Sequence, residues 1–502
     1  MLRPGGSGWP SLLLPTLLTA LFAAAVRFDA VPWLRGPAPY PPEWQWGFRP
    51  QPVSGAWLPA LVAGGVVLAL LAVSRWRRAS GRPRLAASLL LTAGTLAGWA
   101  FSLCLLVTLP DGPWRTLLAR AASRTFSSYH TVAISGDARD PRAFLSRHAA
   151  LLEEYRASAK HAATHPPGPV LFYRAALAVC EGSAPLTEAL LGLAGIPDRE
   201  FPPPSTRPAR AAALLGALLL GLLGAATAWP VAALAETLGL GPLAAARVGI
   251  LYLLLPGPTL MVPQFDSALA LPVATATALL ASAIATGRAA APKALLAGVF
   301  GALALFTSYG APAFLAVGGV AALSLAPSRR EAATRAIPIL AVALVTAVVP
   351  TAATALLGHD PIASARAALA IHREAYTAPR SYGLWLLFNP LDLATFIGLP
   401  VAVLGLVRLS SVRGQGWADP GPSGRFGLAL AAGLGALIAS GVTRGEVGRI
   451  WIPLMPLLLV AILSPADGSS DDPDPARLRS ISLVLGALLA ALCLAIRVSW
   501  DL

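Results

Sequence analysis

Long apolar runs separated by short connectors bearing arginine recur from one end of this chain to the other. A helix needs ~20 mostly apolar residues to cross ~30 Å of hydrocarbon, where every backbone donor and acceptor must be satisfied inside the segment. Such runs fall at about residues 11–26, 56–74, 85–109, 208–234, 243–260, 267–286 and 294–307. Others follow at about 312–326, 337–357, 384–407, 426–442, 450–463 and 481–496, which makes about 13 spans. The alternating pattern of a membrane barrel is missing. The predicted fold class is therefore all-α, a polytopic transmembrane helix bundle. The first run resembles a signal peptide, but Arg27, Phe28 and Asp29 follow it in place of a small-residue cleavage site.

Charge agrees with a lipid solvent. Of 502 residues only 12% are charged, against roughly 25% in soluble domains. The net charge of +14 comes almost wholly from arginine, with Lys160 and Lys293 the only lysines. These cations gather at helix ends, as headgroup anchoring and the positive-inside bias require, so the partner is a bilayer and not nucleic acid. The arginine-rich, alanine-rich composition points to a high-GC bacterium. Five arginines and no acid occupy the connector 75–84, which marks it as cytoplasmic. With the amino terminus inside, the loops 287–293, 327–335, 408–425 and 464–479 are also cytoplasmic. The first three are net positive and the last is acidic. Cys104, Cys180 and Cys493 lie far apart and suggest neither a disulfide framework nor a zinc site.

Three regions follow: 1–109 with three spans and a first external loop, 110–206 as an extracytoplasmic and interfacial region, and 207–502 as the main bundle. The middle region carries ten basic and nine acidic residues and no adequate apolar run. Within 143–163, Phe144, Leu145, Ala149, Leu152 and Tyr155 recur at helical spacing, as for a helix lying on the membrane surface. The run 170–180 is too short to span and reads as re-entrant or interfacial.

With this topology the unusual polar clusters share the outer side. They are Asp29 with the Trp-rich loop after it, the HPPGP stretch from His165, the PQFD turn ending at Asp266, His359 with Asp360, and TRGEVGR from Thr443 to Arg449. Ionisable groups at membrane depth are costly unless paired or hydrated, so their convergence suggests a polar cavity. An acid just beyond the first span, a large external loop, HPPGP, PQFD between spans and a late GEVGRIWIPLMP together resemble the GT-C class of glycosyltransferases. That class includes the protein O-mannosyltransferases and the lipid A aminoarabinose transferases. The resemblance implies a polyprenyl-phosphate or dolichyl-phosphate sugar donor and a key acid in the first external loop. In many members that acid is one of an Asp-Glu or Asp-Asp pair. Here Ala30 follows Asp29 and the next acid is Glu43, so both stay open.

The residue types suit the chemistry. Transfer to a hydroxyl needs a carboxylate to take its proton, worth roughly 10²–10⁴-fold, and Asp29 and Glu43 are the candidates. Asp29 equally suits an ion pair with Arg27 or Arg35, and Glu43 a structural hydrogen bond. A departing lipid phosphate needs a guanidinium that binds two oxygens, for which Arg444 and Arg449 beside Glu446, and also Arg49, are candidates. Their alternative is pairing with Glu446 or snorkelling to headgroups. His165 suits a phosphate or acceptor contact, or a turn cap. Asp266 suits an acceptor contact, or an N-cap for the helix starting near Ser267. No cofactor is implied, although Asp29, Glu43 and Asp266 together would suit a divalent cation. No nucleotide-binding loop, hydrolase elbow or HExxH occurs.

The expected activity is sugar transfer from a polyprenyl-phosphate donor to an extracytoplasmic glycan, lipid or protein acceptor, at the bacterial plasma membrane. A transporter or flippase, an envelope polysaccharide polymerase or ligase, and a non-catalytic assembly member are the rivals. The absence of an internal repeat, and charges kept at helix ends, count against a transporter.

Overall fold

A computed structural model describes residues 10–76, 82–196, 206–414, 420–465 and 475–502. Arg77 and Arg78 of the arginine connector, and residues 466–474 of the acidic loop, lie outside the described residues. The first apolar runs form helices α1 (Pro10–Phe28), α2 (Trp57–Trp76) and α3 (Pro83–Leu105). Shorter helices follow in the polar region: α4 (Gly112–Ala122), α5 (Tyr129–Ala133), α6 (Pro141–Tyr155), α7 (Gly168–Gly182) and α8 (Ala184–Ala194). The bundle continues through α9 (Arg207–Ala226), α10 (Ala228–Thr237), α11 (Pro242–Tyr252), α12 (Pro256–Leu260), α13 (Phe265–Thr286), α14 (Ala290–Thr307) and α15 (Ala311–Leu323). After a single turn, α16 (Arg329–Glu331), come α17 (Ile337–Ala353), α18 (Pro361–His372), α19 (Tyr382–Ile397) and α20 (Leu399–Gly414). The last are α21 (Gly421–Ser440), α22 (Val447–Ile450), α23 (Met455–Leu463) and α24 (Pro475–Arg497). Among the described residues the strand content is one antiparallel pair, β1 (Gly47–Phe48) with β2 (Trp500–Asp501). The all-α expectation holds.

Local chemistry sets many of the helix starts. Proline occupies the first turn of α3, α6, α8, α9 and α18, where its missing N–H is no loss. Side chains of Asp140, Ser183, Thr206, Asp360 and Ser381 cap α6, α8, α9, α18 and α19.

Eight helices are long and apolar enough to cross a membrane, or ten if each of two bent pairs counts as one span. The sequence reading expected about 13. The difference has a physical reason: several apolar runs are cut below the ~20 residues a crossing needs. Run 243–260 is broken into α11 and α12 before Pro256, and the apolar stretches of α15 and α23 stay shorter than a span. Run 384–407 becomes α19 and α20, bent by 114° at Gly398, whose φ of +91° suits glycine. The short run 170–180 lies in α7, which turns through 108° into α8 as a broken or re-entrant element.

Two apolar cores organise the chain. The larger joins α2, α3, α10, α11, α13, α15, α23 and α24. The smaller joins α4 to α9 and reaches Val262, Phe265 and Ile371. The expectation of α6 as a surface helix is corrected here. Its stripe of Phe144, Leu145, Leu152 and Tyr155 is buried within the protein, with α6 packed on α18. An apolar stripe marks a buried face and does not say whether lipid or protein covers it.

Candidate functional site

The loop between α21 and α22 carries TRGEVGR, and α19 holds it. Asn389 Nδ2 donates to the Thr443 carbonyl at 2.8 Å, and the Gly448 N–H donates to Asp392 Oδ2 at 2.8 Å. Trp46 Nε1, from the first loop, donates to Asp392 Oδ1 at 2.8 Å. Gly445 turns the loop with φ of +101°, and a Cβ there would stand 2.6 Å from Arg380 Nη1. Only glycine combines that conformation with that approach. Glu446 follows at φ of +57°.

These constraints aim Glu446 into a charged cluster. Its Oε2 lies 2.8 Å from Arg449 Nη2, and its Oε1 lies 3.9 Å from Arg380 Nη2. Arg449 Nε lies 3.4 Å from Asp266 Oδ2 but makes no hydrogen bond. The four side chains are only 9% to 17% exposed. Burial pulls the Arg449 pKa down, and the Glu446 and Asp266 carboxylates outweigh it, holding the guanidinium above its ordinary value. Asp266 sits in the first turn of α13, where the positive helix end favours an anion. Gln264, not Asp266, occupies the N-cap position, and no side chain caps there. The capping alternative for Asp266 is therefore not the arrangement found.

The cluster forms the floor of a cavity of about 380 Å³, within the usual range for small-molecule sites. His161, His165, His372, Tyr129 and Tyr376 line its polar side. Apolar residues also line it, among them Ala313 and Phe314 on α15, Leu437 on α21, and Val442. His165 Nδ1 lies 2.8 Å from the His161 carbonyl, which assigns the proton to Nδ1 and leaves Nε2 as an acceptor. Burial first, and the Arg449 charge as well, lower the His165 pKa to about 4. Burial likewise lowers His161 and His372. With the imidazoles neutral, Arg380, Arg444 and Arg449 face Asp266 and Glu446. The lining itself carries one more arginine than carboxylates, and the Glu43 carboxylate behind Arg380 acts on that arginine as well.

Five of the candidate residues, His165, Asp266, Arg444, Glu446 and Arg449, line this one cavity. Arg444, however, is spent on the backbone: its guanidinium donates to the carbonyls of Gly441, Thr377 and Arg380. Asp29, Glu43 and Arg49 do not line it. Asp29 takes both of its oxygens to Arg35, at 2.9 and 3.1 Å. Glu43 is buried, accepting from the Ser381 N–H at 2.8 Å and from Trp385 Nε1 at 2.7 Å. Arg49 is exposed beside the β1–β2 pair. The oxygen-ligand group of Asp29, Glu43 and Asp266 does not assemble, because each carboxylate is engaged by a different partner. Among the described residues no group of three or more His, Cys, Asp or Glu could hold a metal ion. His359 and Asp360 also stand apart: His359 bonds Thr354 and Ser364, and Asp360 caps α18.

Comparison with protein-family models, curated proteins and solved structures returned no match. The site therefore rests on its own geometry.

Arg380, His372, Tyr376, Tyr129 and Asp392 are the participants that motif reading missed. His372, Tyr376 and Arg380 recur every four residues, a polar stripe that a search at helical period finds. A π-helical turn over Arg373–Thr377 adjusts that stripe, a feature frequent at functional sites. Tyr129 and Asp392 carry no local signal, since only tertiary packing brings them here.

Proposed function

We propose that this chain is an integral membrane glycosyltransferase that takes a single sugar from a polyprenyl-phosphate donor at the cavity over Arg449. One observation carries this reading. The same cavity is lined by the guanidinium groups of Arg380 and Arg449 and by the apolar side chains of Phe314, Leu437 and Val442, a combination that suits a ligand with an anionic head and a hydrocarbon tail. Its modest volume favours a monosaccharide over an oligosaccharide donor, which ranks transferase above polymerase.

In this reading Arg449 and Arg380 receive the phosphate oxygens. Asp266 is the least committed carboxylate of the floor, with one contact at 3.4 Å against two for Glu446. It takes the proton from the acceptor hydroxyl as the new bond forms to the anomeric carbon. The bond from that carbon to the phosphate oxygen breaks, its electron pair leaves with the lipid phosphate, and configuration inverts. The resemblance to the GT-C class gives the first-loop acid this role. The engagement of Asp29 and Glu43 by other partners favours moving it to Asp266. The same reading sets the cavity on the outer face of the bacterial plasma membrane, with 110–206 exposed there.

The test uses purified protein in lipid nanodiscs with a polyprenyl-phosphate sugar. Asp266→Asn is expected to lower transfer by roughly 10²-fold or more with donor binding retained. Asp29→Asn is expected to transfer near normally. Turnover of a nucleotide sugar without a lipid intermediate would sink the donor assignment. Loss of transfer in Asp29→Asn with normal rates in Asp266→Asn would return the base to the first loop.

A further inference from the structure

Exposed apolar side chains do not stop where α17 ends. Leu344, Val345, Val348 and Val349 are exposed along that helix, and the surface runs on through Leu356, 84% exposed, and Leu357 in the turn that follows. The exposed side of α18 continues it. Ile362 and Leu369 are 64% and 51% exposed, and Arg366 and Arg373 stand exposed beside them. With 3.6 residues per turn these four positions share one arc of roughly 60°. The opposite side is buried: Ser364, Ala368 and Ile371 face inward, the last two within the smaller core, and α6 packs against the helix.

The ends of α18 fix its level. The segment Arg329–Leu357 is long and apolar enough to cross a membrane, and only residues 358–360 separate its end from α18. At the other end Leu369 and His372 line the cavity over Arg449, together with Asp266 in the first turn of α13 and Ser440 at the end of α21. Both of those helices are also long and apolar enough to cross. A 12-residue helix covers roughly 18 Å at 1.5 Å per residue, too little to join two surfaces ~30 Å apart. Both ends therefore meet the same membrane surface, and α18 lies along it.

The stripe identifies what covers the exposed face. Its apolar members continue a span's lipid-facing surface, and arginines among them reach from an apolar boundary to headgroups. Neither Arg366 nor Arg373 makes an ion pair among the described residues, and the nearest acids in sequence are engaged elsewhere: Asp360 caps α18 and Glu374 pairs with Arg156. Two uncompensated cations at a bilayer surface favour anionic lipid, by about fivefold each. We propose that α18 lies in the bilayer interface, with Leu356, Ile362 and Leu369 sunk among acyl chains and Arg366 and Arg373 on the phosphates of anionic phospholipids. Leu369 also lines the cavity, so the lipid contact and the cavity share an edge. The inference rests on the membrane spans alone and holds whatever the cavity binds.

The test uses the full chain in lipid nanodiscs. In a background without Cys104, Cys180 and Cys493, a fluorescent label at Ile362→Cys or Leu369→Cys is expected to be quenched several-fold more by a nitroxide carried on an acyl chain than by a water-soluble nitroxide, relative to the same label at Ala150→Cys. Stronger quenching from water at both positions would overturn the interfacial placement. Protection from both quenchers would also overturn it, because a protein would then cover the face. The headgroup is read by native mass spectrometry of the chain with its own cysteines, using phosphatidylglycerol or phosphatidylcholine of the same acyl composition. Arg366→Gln with Arg373→Gln is expected to lower phosphatidylglycerol retention at least about fivefold and to leave phosphatidylcholine retention nearly unchanged. Unchanged phosphatidylglycerol retention, or an equal fall for both lipids, would overturn the anionic class.

Discussion

Arg449 compensates two carboxylates at once, so its replacements separate charge from shape. Arg449→Gln leaves Glu446 and Asp266 facing each other in a buried site, a loss of about 3–5 kcal/mol when one partner of a buried pair is removed. Thermal unfolding in detergent is expected to show that drop. Arg449→Lys keeps the charge and gives up the planar fork, so stability is expected to stay close to wild type while affinity for a lipid phosphate falls. The histidines make a second residue-level statement. Burial lowers His130 and His165 to about 4 and His148 to about 3, from an ordinary 6.5. Below 6.5 the unfolded chain takes up protons that the folded chain refuses. Their contribution is therefore whole above about pH 6.5 and is lost as pH falls towards 4. The unfolding midpoint is expected to drop between pH 7 and pH 4.5. His130→Asn is expected to flatten that slope, and an unchanged slope would show that His130 is not buried neutral.

At the scale of elements, α19 works as a bracket between the first loop and the GEVGR loop. Asp392→Asn replaces one of two acceptor oxygens by a donor, so either Trp46 or Gly448 is left facing an N–H, at about 1–3 kcal/mol. Trp46→Phe is expected to cost much less in an Asp392→Ala background than alone, and full additivity in a double-mutant cycle would mean the bracket carries no load. Sequence made most helices legible because apolar length and the caps Asp140, Asp360 and Ser381 are local signals. It misjudged breaks that depend on a single residue, such as Pro256 and Gly398. His165, Asp266, Glu446 and Arg449 were legible because proline and glycine punctuate their motifs. Asp392 was not, because nothing in a run of apolar neighbours tells a buried acceptor from a misplaced charge. The first-loop carboxylates looked catalytic by position. Asp29 takes the pairing with Arg35 that its sequence neighbourhood already offered, whereas the hydrogen bonds of Glu43 to Ser381 and Trp385 are made across distances in sequence that no spacing rule reaches.

For the whole molecule, the proposed orientation has a direct reading. In a background without Cys104, Cys180 and Cys493, a cysteine at position 140 is expected to react with an impermeant thiol reagent in intact cells, and one at 330 to resist it. The opposite result would place the cavity on the cytoplasmic side. The charged floor also imposes an order in time on the making of the protein. Asp266 leaves the ribosome well over a hundred residues before Glu446 and Arg449. For that interval an acid stands at the start of a hydrophobic helix with no counter-charge, a penalty that lipid does not relieve. The growing chain therefore holds a half-built, high-energy junction until its last quarter arrives. A ribosome halted near residue 440 would release a product that inserts yet stays open at that junction, and membrane proteases would find it there.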